Sequence, residues 1–155
     1  MAESPSAPPM QEPVFVGRRE DLVKAKKTKI TVNDREIIIV YSTKGKLHAI
    51  DALCYHQGGS LFEGDIEELG GRSCIVCPFH KYSITLSTGE CIYEEAVNPR
   101  KSKTKTVWKT LGRKQRIHRL IDKEDDVYVE LSDLTDKRES DYFYTEEGRN
   151  SISIM

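Results

Sequence analysis

The sequence predicts one all-β domain with little helix, on three observations. Apolar residues come in short runs, turn residues separate the runs, and no stretch keeps a helical period over eleven residues except a weak one from Ser60 to Leu69. In order, Val14-Phe15-Val16 precedes Gly17, Ile30-Thr31-Val32 precedes Asn33-Asp34, and the run Ile37 to Tyr41 precedes Ser42-Thr43-Lys44-Gly45. Leu47, Ala49 and Asp51 then alternate with His48, Ile50 and Ala52. Arg116 to Ile121 and Val127 to Leu131 read as a further pair of strands across an Asp-rich turn. Residues 1–13 hold four of the six prolines and are expected to be an extended, solvated tail; the body is expected over 14–132. Residues 133–155 read as a polar C-terminal tail, with a Tyr142-Phe143-Tyr144 cluster able to dock back on the body.

Composition bounds the function. Val, Ile, Leu and Phe make up 37 of 155 residues, above the roughly 20% floor below which chains tend to stay disordered. The longest apolar run has five residues, against the roughly 20 of a membrane-spanning helix, so no spanning segment is expected. The first thirteen residues carry no Lys or Arg, unlike a signal or transit peptide, and the expected location is the cytoplasm. With 24 basic and 25 acidic side chains there is no overall pull toward nucleic acid or anionic membrane.

The chemistry lies in two ligand pairs, Cys54-Tyr55-His56 and Cys77-Pro78-Phe79-His80. One intervening residue on an extended loop puts Cys54 and His56 on one side. Two residues including Pro78 set a turn that does the same for Cys77 and His80, so two loops could approach a metal from opposite sides. Gly58 and Gly59 would let backbone N–H groups come near an anionic sulfur. The alternative is a small structural zinc-binding interaction module. Zinc sites more often pair C-x₂₋₄-C with H-x₃₋₅-H, and neither half here has that form.

The C-x-H and C-x₂-H loops resemble those of Rieske [2Fe–2S] proteins, in which two Cys hold one iron and two His the other. Ser87-Thr88-Gly89-Glu90 is similar to the T-G-E turn that follows the second loop in Rieske ferredoxins, and Gly45 to Asp51 to the strand leading into the first. The resemblance covers about residues 14–131. It implies three antiparallel sheets, with a small cluster-binding subdomain (loops about 53–92) on a larger β base, and one [2Fe–2S] cluster held by Cys54, His56, Cys77 and His80. Lys81 stands where many members have Gly. High-potential members carry a disulfide between the loops, and the matching positions here are Gly59 and Phe79. Those members also place hydroxyls where this chain has Tyr82 and Ile84.

Cys74 forms a C-x₂-C with Cys77, but on a strand an odd offset puts the two side chains on opposite faces, so Cys74 reads as a core thiol. Cys91 reads the same way, a disulfide being unusual in a reducing cytosol, and His48 and His118 read as satisfied surface or core histidines with no second ligand at metal spacing. Nine basic and no acidic residues lie between Arg100 and Arg119, followed by eleven acidic and three basic ones from Asp122 to Glu147. This is either intramolecular charge pairing or a docking surface for an acidic redox partner. A mononuclear-iron oxygenase would need a 2-His-1-carboxylate triad and a further substrate domain, neither of which the sequence supplies. The expectation is therefore an electron carrier with no catalytic site of its own, serving a separate reductase and an acceptor protein, with no nucleic-acid or membrane partner.

Overall fold

The structure is a computed structural model that describes residues 12–56, 58–79, 81–97, 105–132, 138–145 and 147–148. The expected N-terminal tail therefore falls almost wholly outside the described residues, as do His80 and the first five residues of the basic segment. Eleven strands follow in order: β1 (Val14–Arg18), β2 (Lys27–Val32), β3 (Arg35–Tyr41), β4 (Leu47–Asp51), β5 (Asp65–Leu69), β6 (Arg72–Val76), β7 (Ser83–Thr85), β8 (Glu90–Val97), β9 (Lys105–Arg113), β10 (Ile117–Lys123) and β11 (Asp126–Glu130). One short helix, α1 (Arg19–Ala25), and 3-10 turns at Leu61–Glu63 and Glu139–Tyr144 complete the described elements.

Pairing is antiparallel throughout, in the orders β1-β11-β10-β4-β3-β2 and β5-β6-β7-β8-β9. Within the first ladder β10 divides its bonds: Ile117 and His118 pair with β4, and residues 119–123 pair with β11. The base is thus two sheets sharing β10, and β5 to β9 form a third. These are the three antiparallel sheets that the resemblance implies.

β3 is the common wall. Successive strand side chains point to opposite faces. Ile37 and Ile39 accordingly enter one core with Leu22, Val32, Val127 and Val129, whereas Ile38 and Val40 enter the other with Ile50, Ile75 and Ile84. Burial on both faces explains why this strand reads as a continuous apolar run instead of an alternating one. Cys54 and Cys77 belong to the second core. The β2–β3 turn is made by Asn33 and Asp34, both at positive φ (50° and 64°), the form that matches strand twist in a two-residue hairpin.

Three features depart from the sequence reading. The segment 60–69 is a single 3-10 turn followed by β5, whereas the helix lies at 19–25. Seven residues with one buried side chain, Leu22, are too few to show a period. The β8–β9 ribbon carries no strand signal in the sequence, because β9 is exposed at nearly every position and so has no inside–outside alternation. Finally, the polar-tail expectation for 133–155 does not describe residues 138–145, which pack on the body with Ser140 and Phe143 buried.

That packing is polar as much as apolar. Arg116 Nε and Nη2 donate to the two carboxylate oxygens of Asp141, each at 2.7 Å, and Arg35 also donates to Asp141. Tyr144 Oη accepts from the Ala52 N–H at 3.0 Å and the Leu53 N–H at 3.3 Å, and donates to the Glu36 carbonyl at 2.5 Å. Burial alone would raise the Asp141 carboxyl, but Arg116, the Arg138 N–H and Arg35 outweigh it and hold the group at about 2. Its folded value lies below the ordinary one near 3.9, so this contribution to stability is complete above about pH 4 and is lost as pH falls through about 2. Asp141→Asn should therefore lower stability at neutral pH and shrink the acid-side fall in stability between about pH 4 and 2. Urea unfolding at a series of pH values, followed by near-ultraviolet circular dichroism, measures both effects. An unchanged acid limb would place the acid-sensitive group elsewhere.

Candidate metal centre

The two sequence-predicted loops share one backbone pattern. In the first, the Cys54 N–H donates to the Gly59 carbonyl at 2.8 Å and the Gly58 N–H returns to the Cys54 carbonyl at 2.8 Å. In the second, the Cys77 N–H donates to the Tyr82 carbonyl at 2.8 Å and the Lys81 N–H returns to the Cys77 carbonyl at 2.9 Å. Each cysteine therefore opens a closed turn of the same length, and the residue four places on has positive φ in both: 75° at Gly58 and 59° at Lys81. Lys81 keeps the glycine-type conformation without being glycine, which a Cβ makes less favourable.

The turns bring Cys54 and Cys77 together. Both are buried, and their thiols are hydrogen-bonded to each other. That contact, then burial, pushes the Cys54 thiol well above its ordinary range. None of the four cysteines is in a disulfide. The His56 ring lies against Tyr82, centroids 4.2 Å apart and planes tilted by 37°. Tyr82 in turn meets Tyr55 edge-on at 6.0 Å, so an aromatic row from the second loop locks the first. His80 lies outside the described residues. Among those described, no three His, Cys, Asp or Glu side chains meet at one metal position. What the structure brings together is the thiol pair, with the His56 backbone at Cys54 and the His56 ring stacked on Tyr82. Two soft thiolates on one side and imidazole nitrogen next to them are the donors that a two-iron cluster divided by ligand type requires.

The glycines work differently from the sequence expectation. The Gly58 N–H is taken by the Cys54 carbonyl, whereas Gly59 leaves room for the second loop: a Cβ there would fall 2.3 Å from Cδ2 of Phe79. The two positions that match the inter-loop disulfide of other members thus do face each other, as glycine against a phenyl ring.

Several supporting residues gave no signal in the sequence. Gln115, fully buried, donates from Nε2 to the carbonyls of Asp51 at 3.1 Å and Leu53 at 2.7 Å, and accepts from the Tyr55 N–H at 2.8 Å. It thereby ties down both sides of Cys54. Its own backbone carbonyl sits where a Cβ on Gly89 would come within 2.0 Å, which is the physical reason for glycine in the T-G-E turn. Cys91 is a buried core thiol, as expected, and is also hydrogen-bonded to the Tyr55 hydroxyl; burial is the main cause of its raised pKa. Burial likewise raises Cys74, to about 11. His118 is a satisfied core histidine: its Nδ1 accepts from the Ser132 N–H at 3.0 Å and its Nε2 faces Asp51 Oδ1 at 2.8 Å.

Comparison with known proteins agrees with this geometry. The family model of soluble Rieske-type ferredoxins matches residues 14–134. A human Rieske domain-containing protein is 47% identical over 132 residues, covering 85% of this chain and 83% of that protein. The oxygenase component of 3-ketosteroid-9-alpha-monooxygenase from Rhodococcus rhodochrous is 33% identical over 103 residues, which are 63% of this chain and 25% of that one. Among solved structures, the ferredoxin of carbazole 1,9a-dioxygenase from Nocardioides aromaticivorans IC177 superposes with a TM-score of 0.55 at 20% identity, covering 79% of this chain and all of that one. The family binds a [2Fe–2S] cluster, and the zinc-module alternative finds no support. With its thiol pair at the tips of two matched turns and the family pattern running through its whole β body, this chain belongs to the soluble Rieske-type ferredoxin family.

Proposed function

We propose that this chain is an electron carrier that takes single electrons from a separate reductase and passes them to an oxygenase or other acceptor protein, with Cys54, His56, Cys77 and His80 as the ligands of one [2Fe–2S] cluster. The buried Cys54–Cys77 pair at the tips of the two matched turns carries this reading. When bound, the cluster supplies a one-electron couple. The chain's own part is to present two thiolates and two neutral imidazoles, which leaves the oxidised centre with less negative charge than four thiolates would and so eases acceptance of an electron. Gln115 and the Tyr55–Tyr82–His56 row hold the loops in place.

A carrier with no catalytic site of its own fits the histidine inventory. With His56 and His80 assigned to the cluster and both nitrogens of His118 engaged, only His48 is left, too few for a 2-His-1-carboxylate iron site. A protein partner is supported by the ferredoxin neighbour, whose own role is as a component of a dioxygenase. Among the described residues no helix is long and apolar enough to cross a membrane.

The basic segment is partly neutralised within the chain: Lys109 pairs with Glu95, Lys114 with Glu139 and Arg116 with Asp141. Exposed Lys105, Arg113 and Arg119 form no ion pair with a carboxylate among the described residues, and these are charges available to an acidic partner.

Ala in place of Cys54, His56, Cys77 or His80 should abolish the visible absorption and lower bound iron to background, while Cys74→Ala and Cys91→Ala keep both. A folded Cys74→Ala protein without iron would refute the ligand assignment. The midpoint potential should lie toward the lower end of the roughly −150 to +300 mV span of Rieske centres. Phe79 against Gly59 takes the place of a disulfide clamp, and Ile84 supplies no hydroxyl donor to sulfur. Protein-film voltammetry measures it, and a value above about +150 mV would mean that other donors outweigh these losses. Reversing Lys103 and Lys105 to Glu should slow reduction by the reductase and flatten its salt dependence without changing the cluster spectrum. Stopped-flow rates equal to those of the parent would leave these lysines without a docking role.

A further inference from the structure

The exposed apolar surface of this molecule is concentrated on one element. Of the eight large apolar side chains exposed among the described residues, Tyr93, Val97, Val107, Trp108 and Leu111 lie on β8 and β9. β7 pairs with β8 only at Ile92 and Cys91, so among the described residues Tyr93 to Val97 have β9 as their single strand neighbour, and the two strands run on as a ribbon. A two-stranded ribbon is marginal in water unless one of its faces is covered.

Its two faces differ. Directly opposed residues of an antiparallel pair share a face. Glu94 opposite Trp108 marks the inner face, where the indole lies over Gly70 in the β5–β6 turn: a Cβ on that glycine would fall 2.7 Å from Trp108 Cγ. Tyr93 opposite Lys109, Glu95 opposite Val107 and Val97 opposite Lys105 make the outer face, and all six are exposed. β9 is also the end strand of its sheet, so one row of its backbone N–H and C=O groups has no strand beside it among the described residues.

Charge decides what fits this edge. β9 holds Lys105, Lys109 and Arg113 and no acidic residue. Glu95 pairs with Lys109 at 2.5 Å, while exposed Lys105 and Arg113 form no ion pair with a carboxylate among the described residues. A second copy pairing edge to edge would set three cations against three, whereas an acidic strand meets them with opposite charge. The inner end of the ribbon reaches the first metal loop: Cys91, two residues before Tyr93, is hydrogen-bonded to the hydroxyl of Tyr55, the neighbour of Cys54.

We propose that β9 takes up an extended acidic segment of the redox partner as a sixth strand of the cluster sheet, with apolar side chains of that segment resting on Val107 and its neighbours on the outer face. In such strand addition main-chain hydrogen bonds give affinity and alternate side chains give selectivity. The proposal rests on the carrier reading for the partner's role, and it names how that partner is recognised.

The probe is a nine-residue peptide of alternating Glu and Val, titrated into the cluster-loaded full chain and followed by calorimetry and by the backbone amide resonances of residues 105–113. The expected result is saturable binding of one peptide per chain, with hydrogen exchange slowed at alternate β9 amides, since those facing the free edge gain acceptors. Lys105→Glu/Arg113→Glu and Val107→Ser should each weaken binding at least tenfold with the cluster spectrum unchanged, and Phe15→Ser, at an exposed position of β1, should bind as the parent does. A peptide of alternating Lys and Val should not bind. Absence of saturable binding, unchanged β9 exchange at saturation, or parental affinity in either β9 variant would overturn the proposal. So would a dimer in sedimentation that the peptide takes apart, because the occupant would then be a second copy. Bound iron and reduction by dithionite test the carrier reading separately. A reducible cluster in a chain that ignores the peptide defeats the strand site alone, whereas a chain purified without iron that still binds the peptide upholds the strand site and defeats the carrier reading.

Discussion

The buried carboxylate of Asp51 is the constraint around which this molecule is arranged. It is fully buried, and a charge so placed is tolerated only with partners that replace water. Arg35 from β3 donates to both its oxygens, at 2.8 and 2.5 Å, Ser140 from the C-terminal 3-10 turn donates at 2.7 Å, and His118 from β10 stands at 2.8 Å. Burial alone would raise its pKa, but His118 and Arg35 outweigh that and hold it below the ordinary carboxylate range. Removing one partner from such a buried pair typically costs about 3–5 kcal/mol. Two strands and a distant terminal segment are thereby fixed to one point, three residues before Cys54.

The metal loops inherit their position from that point. Gln115 and Tyr144 grip the backbone between Asp51 and Tyr55 from opposite sides of the chain, 115 by its amide and 144 by its hydroxyl. Gly89 admits the backbone of Gln115, and Arg35 stacks on the Tyr144 ring at 4.2 Å. The first loop therefore rests on a closed polar framework, while its contact with the second loop is made by aromatic rings and by Phe79 over Gly59. Cys54 and Cys77 are held rigidly beneath, within the apolar core.

The reversal of charge along the chain, basic before Arg119 and acidic after Asp122, is partly used in folding. Arg116 and Asp141 form part of the framework, and Lys114–Glu139 extends it to the surface. The β9 edge keeps Lys105 and Lys109 exposed, and charged side chains on an edge strand discourage unwanted strand pairing. This role holds whether or not a partner docks there.

Much of this was written in local patterns that a chain carries before it folds. The strands β1 to β4, β10 and β11 follow from apolar runs cut by turn residues, and the family from C-x-H, C-x₂-H and the T-G-E turn, because ligand spacing and turn chemistry are properties of neighbouring residues. Other features depended on contacts between residues far apart. Gln115 is one polar residue among basic ones until folding sets it 60 positions from its partner Tyr55, and Phe79 finds Gly59 only when the two loops close. The C-terminal segment reads as polar because its polar groups are the side of it that packs: half-buried Asp141 meets arginines and buried Ser140 meets Asp51, so composition points to solvent while ion pairing points inward. Sequence by itself determined the fold class, the family and the candidate ligands, since periodicity and spacing are local. Tertiary structure alone decided what holds the first loop and what balances Asp51, because a buried charge is satisfied by whichever donors the fold brings to it.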